Sequence, residues 1–188
     1  LPNLMQNTLI PPLPPIHAVA LITVSLAAAV HDIRSRRIPN WLAAAGLLAG
    51  LLINVLHAGS AGLVSSLLGM GLALAVYFPL FALRGMGAGD VKLMAALGAI
   101  CGPSFWFWIF VVSAVCGAAA GLILASAKGR LRSTLWNAGF IARELSCLRV
   151  PHLTREQLDI HHASSLRLPH GVAIAVGSAA VLLFSYLR

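Results

Sequence analysis

Acidic residues are nearly missing from this sequence. Five Asp and Glu with 13 Lys and Arg make up 10% of 188 residues, against about 25% in an ordinary soluble domain. With 59% hydrophobic residues and a mean hydropathy of +0.89, the chain cannot cover a water-facing surface. Its net charge of +8 raises nucleic acid as a partner, and the positions of the charges exclude it. Residues 1–31, 38–83, 93–127 and 168–187 hold no Lys, Arg, Asp or Glu. A bilayer-spanning helix takes about 20 apolar residues, so these stretches have room for about six. The sequence is that of an all-α, polytopic membrane protein whose surroundings are the lipid bilayer.

Cysteine is as sparse. Cys101, Cys116 and Cys147 form no CxxC pair and no Cys/His ligand spacing, which excludes a disulfide framework and a zinc site of the usual kinds. His161 and His162 are adjacent but have no third ligand nearby in sequence, so they read as surface residues. No metal and no cofactor is expected. No positive charge precedes the first apolar run, so that run reads as a retained helix rather than a cleaved signal.

Residues 1–15 carry Pro11, Pro12, Pro14 and Pro15 and read as an extracytoplasmic, Pro-rich leader to a single membrane domain over 16–188. Six helices are predicted, over 16–31, 41–56, 61–83, 91–101, 105–127 and 169–187. The long second stretch breaks where His57, Gly59 and Ser60 cluster, and the third breaks at Gly102–Pro103. Asn40 serves as N-cap of the second helix, with Pro39 stopping the first. The fourth helix, about 11 residues and roughly 17 Å, is too short to span a hydrocarbon core of about 30 Å. Twelve of the thirteen basic residues lie in the three connections that share one side. The positive-inside rule makes that side cytoplasmic and places both termini outside, in a bacterial inner membrane on the resemblance given below. In the connection 128–167, Leu131, Leu135, Ala138, Ala142, Leu145 and Leu148 recur at helical spacing. This reads equally as an interfacial helix or as a solvated basic loop. The pairs Gly46/Gly50 and Gly117/Gly121 suit close packing within the bundle, with a homodimer face as the alternative.

Glu144, Glu156 and Asp159 lie in that large connection. The other two acids, Asp32 and Asp90, stand at the ends of membrane helices on the cytoplasmic side. An ionisable group beside hydrocarbon costs a few kcal/mol or more and is a functional candidate by default. Two close carboxylates share one proton, so one can activate a water while the other protonates a leaving group. The structural alternative is that Asp32 only terminates the first helix and Asp90 only N-caps the fourth. Gly85, Gly87 and Gly89 precede Asp90 in alternation, a loop able to receive an extended peptide beside the carboxylate.

Asp32 with the following Ile38-Pro39-Asn40, Gly87-Ala88-Gly89-Asp90 with Lys92, and Leu168-Pro169-His170-Gly171 at the last helix together resemble the type IV prepilin peptidases. These are membrane aspartic proteases of the GxGD kind. The resemblance implies that Asp32 and Asp90 are the catalytic pair, and that Gly87, Gly89, Lys92 and His170 belong to the substrate loop and its surroundings. It also implies cleavage of prepilin leader peptides, each followed by a hydrophobic helix, at the cytoplasmic membrane face. Large members carry a cytoplasmic methyltransferase portion with paired CxxC motifs. The short leader and missing CxxC suggest the compact branch that serves Flp-type (tight-adherence) pili, without N-methyltransferase activity. The competing reading is a proton- or ion-coupled transporter using Asp32 and Asp90. It calls for midplane acids and repeat-related halves, neither of which the sequence displays.

Overall fold

The computed structural model describes residues 12–83, 86–129, 131, 132, 136 and 170–187. These residues form four helices and no strand: α1 (Pro15–Ser35), α2 (Asn40–Ala82), α3 (Ala88–Ala127) and α4 (His170–Leu187). Each is long and apolar enough to cross a membrane. Most of the expected interfacial helix lies outside the described residues, with Cys147, His161, His162, the three acids of the large connection and most of the leader.

Backbone chemistry sets the boundaries. Pro15 opens α1 at a position where its missing N–H removes no helical bond. Arg36 ends the helix in the left-handed region at φ 50°, and its N–H donates to the Asp32 carbonyl at 2.8 Å. Pro39 then supplies the extended residue before α2. The structure corrects the expected cap here. Asn40 is the first helical residue, and its side-chain oxygen accepts a hydrogen bond from Lys92 Nζ at 2.9 Å. The lysine tie from α3 takes up the oxygen that would otherwise have turned back on the helix.

The two long helices are interrupted inside the stretches where breaks were predicted. Ala58 and Gly59 leave helical geometry in α2, Gly59 with φ 57°, and Gly102 does so in α3 with φ 72°. Both chains double back. Ser66 Oγ lies 3.4 Å from the Gly50 carbonyl, although 16 residues of straight helix would separate them by about 24 Å. Trp106 Nε1 donates to the Met94 carbonyl at 3.0 Å, a pair about 18 Å apart on an unbroken helix.

The α3 reversal leaves a polar debt that α2 settles. Pro103 has no N–H, so the Ala99 carbonyl loses its helical donor. Ser66 Oγ reaches that oxygen at 2.7 Å, and Asn54 Nδ2 donates to the Ala99 and Ile100 carbonyls at 3.0 Å each. Close glycine contacts permit this approach. A Cβ on Gly50 would stand 2.7 Å from the Ile100 nitrogen, and one on Gly46 3.0 Å from Val24. Gly46 and Gly50 therefore pack inside the bundle. Leu21, Leu93, Met94, Leu97, Ile100, Trp106 and Ile109 fill the core around them, fully buried.

Asn54→Leu should accordingly lower stability by about 1–3 kcal/mol, because the Ile100 carbonyl loses its side-chain donor and the Ala99 carbonyl keeps only Ser66. Thermal unfolding in detergent measures this, and an unchanged midpoint would refute it.

Candidate active site

The α1–α2 connection and the start of α3 enclose one end of the bundle. Between them lies a cavity of about 470 Å³ lined by Asp32, residues 36–40 and residues 87–90. The two acids that the sequence singled out therefore open onto one space, although 58 positions separate them in the chain. Arg36 and Arg37 line the same cavity and make its wall positive.

Asp32 sits in the last turn of α1 and is only 8% exposed. Its Oδ2 accepts the Gly171 N–H, from the start of α4, at 2.8 Å. Simple termination of α1 does not account for a carboxylate that turns inward to a helix 139 residues away.

Asp90 is not the N-cap of its helix. Gly87 holds that place with extended geometry (φ −78°, ψ 146°), and Asp90 is the third residue of α3. From there its carboxylate accepts from the Gly87 backbone N–H, the reach of a third-position acid to a cap residue. It also interacts electrostatically with His170 and with Asp32.

The glycine segment differs from expectation. Ala88 and Gly89 form the first helical turn rather than an open loop, and Gly87 just before them is extended. Gly89 is small for a packing reason, since a Cβ there would approach Ile38 Cβ at 3.2 Å. A larger residue would push the α1–α2 connection off the cavity.

Lys92 is absent from the cavity lining and bonds Asn40. His170 opens α4 and faces Asp90 electrostatically. Two residues escaped the sequence reading of individual roles. Gly171 was visible only as part of a motif. Tyr77, 4% exposed, lies close enough to Asp90 to interact with its charge and stands edge-on to Trp106. Its sequence surroundings, an apolar run in α2, gave no sign of a polar neighbour. Among the described residues, no three His, Cys, Asp or Glu side chains gather as a metal site would require.

Residues 19–122, more than half of the chain, match the sequence profile of the type IV leader peptidase family. The chain belongs to this family. Asp32, Asp90 and the whole cavity lining fall inside the matched span, while His170 and Gly171 fall beyond it. A prepilin leader peptidase/N-methyltransferase of Burkholderia pseudomallei is 34% identical over 121 residues, 61% of this chain and 39% of the relative. Proteins of the same description from Xanthomonas campestris and Neisseria gonorrhoeae are 51% identical over 51 residues and 36% over 106. These matches cover 27% and 53% of this chain, and 18% and 37% of the relatives. The chain thus spans about two fifths of the length of the first curated relatives that it matches. No solved structure matches it.

Proposed function

We propose that this leader peptidase family member is an aspartic endopeptidase that removes the leader peptide of type IV prepilins, with Asp32 and Asp90 as its catalytic pair. The observation that carries the reading is the shared cavity, into which two otherwise isolated carboxylates open beside a positive wall. One carboxylate takes a proton from water as the water oxygen attacks the scissile carbonyl. The other, protonated, hydrogen-bonds the carbonyl oxygen and then delivers a proton to the departing amine. Gly87, the extended residue at the cavity edge, is where a substrate backbone would lie alongside Asp90. His170 faces the same acid from α4, and Lys92 steadies the wall through Asn40.

The arms of α2 and α3 then count as separate crossings, giving six with α1 and α4. The distribution of basic residues supports an inner-membrane protein with both termini outside and the cavity at the cytoplasmic face. In that orientation the cavity meets the leader of a prepilin whose hydrophobic helix remains in the bilayer. On the resemblance to the compact branch of the family, the substrate proposed is a small Flp-type pilin, cleaved without methylation.

Co-expression with small candidate prepilins, followed by mass measurement of each pilin N-terminus, tests this. The expected product has lost its leader and gained no methyl group. Pilins that keep their leader would refute the peptidase, and methylated products would refute the restriction to cleavage.

A further inference from the structure

The geometry points to Gly171 as the positioning residue for Asp32: its backbone N–H fixes the carboxylate through Oδ2, and its lack of a side chain lets α4 come close enough to do so. This rests on the peptidase reading above and adds a residue outside the span matched by the family profile.

The second residue of a helix has an N–H without an intrahelical acceptor. At Gly171 that donor is spent on Asp32 at 2.8 Å, in a buried contact. A methyl group fits only if Asp32 gives way by a few tenths of an ångström. A Cβ at 171 would stand 3.0 Å from Asp32 Cβ, 3.1 Å from Oδ2 and 3.3 Å from the Ala28 carbonyl. With Oδ2 held, Oδ1 is the oxygen left to work on the water, and the carboxylate cannot rotate away from the cavity. The preceding residue, His170, interacts with Asp90, so one turn of α4 addresses both acids. Arg36, Arg37 and Asp90 line the cavity with Asp32, and His170 on α4 interacts with Asp90. Only the Gly171 N–H makes a hydrogen bond to its side chain among the described residues.

A misplacement of about 1 Å costs about 10²-fold in turnover, so a carboxylate shifted by part of that loses turnover by tens of fold while substrate binding survives. The test is a cleavage assay on the purified full chain in detergent with a purified prepilin, alongside thermal unfolding. Gly171→Ala is expected to lower kcat by about 30-fold or more, with KM within about threefold and an unchanged Tm. Gly177→Ala is the contrast on the same helix. Its Cβ would press on Ser113, 2.9 Å from that residue's nitrogen, so it should lower Tm and leave kcat of the folded enzyme intact. Wild-type kcat in Gly171→Ala, with Asp32→Asn inactive, overturns the positioning role. If Gly171→Ala lowers Tm instead, the same substitution in an Asp32→Gly background, which removes both the Cβ and the carboxylate, decides. Relief of the loss upholds a contact made with the Asp32 side chain, and full additivity overturns it. Wild-type cleavage by Asp32→Asn would show separately that the peptidase reading had failed, and would remove this proposal with it.

Discussion

Asp32→Asn and Asp90→Asn should each lower prepilin cleavage by about 10³-fold or more, while both proteins insert and fold. Asn keeps the size of Asp but can neither take a proton from water nor deliver one to the leaving amine. Because the two carboxylates open onto one cavity and act as a unit, the double variant should be little worse than either single one. Glu144→Gln, Glu156→Gln and Asp159→Asn change the same number of charges elsewhere in the sequence and should retain most activity. If the acids only shaped helix ends, both Asn variants would still cleave, with about 1 kcal/mol lost from a helix terminus. Quantifying mature and precursor pilin over a time course separates the two patterns.

The second large effect concerns stability. Gly69→Leu and Gly98→Leu should each prevent accumulation of the folded protein. The two glycines meet backbone to backbone where α2 crosses α3. A Cβ on Gly98 would lie 2.7 Å from the Gly69 carbonyl carbon and 3.1 Å from Met70 N, and one on Gly69 2.8 Å from the Gly98 carbonyl carbon. No rotamer relieves a clash between a Cβ and a neighbouring backbone, so the helices must separate. Separation strips packing from the α2–α3 contact and pulls Ser66 and Asn54 off the Ala99 carbonyl. A loss of at least about 4 kcal/mol is expected, at the extreme of single-substitution effects. Gly71→Leu is the control, because nothing lies within 4 Å of a Cβ there. Size-exclusion profiles in mild detergent should show a folded peak for Gly71→Leu and none for the other two.

Much of this arrangement is legible in the sequence itself. Gly102–Pro103 breaks a helix by local chemistry, and the cluster around Gly59 does the same. The acids stood out because so few exist, and an ionisable group in apolar surroundings is conspicuous. What stayed hidden depends on partners far apart in the chain. Asn54 and Ser66 look like ordinary small polar residues until the carbonyl orphaned by Pro103 is placed beside them. Gly89 suggested an open loop because a glycine in sequence does not disclose its reason; here the reason is Ile38. Asn40 and Asp90 both have cap chemistry, yet each lies inside its helix: Asn40 spends its side chain on Lys92, and Asp90 reaches back to Gly87 from the third position while it lines the cavity. Gly171 belongs to the same group, since a backbone N–H carries no sequence signature at all.

The most direct test of the central claim is cleavage in a purified system. Wild-type protein and Asp90→Asn, each reconstituted in lipid vesicles, are given one purified prepilin, and the intact mass of the pilin is followed with time. Complete conversion to the leaderless mass by the wild type, with the precursor mass persisting under Asp90→Asn, is the predicted result. Equal conversion by both proteins would contradict the account.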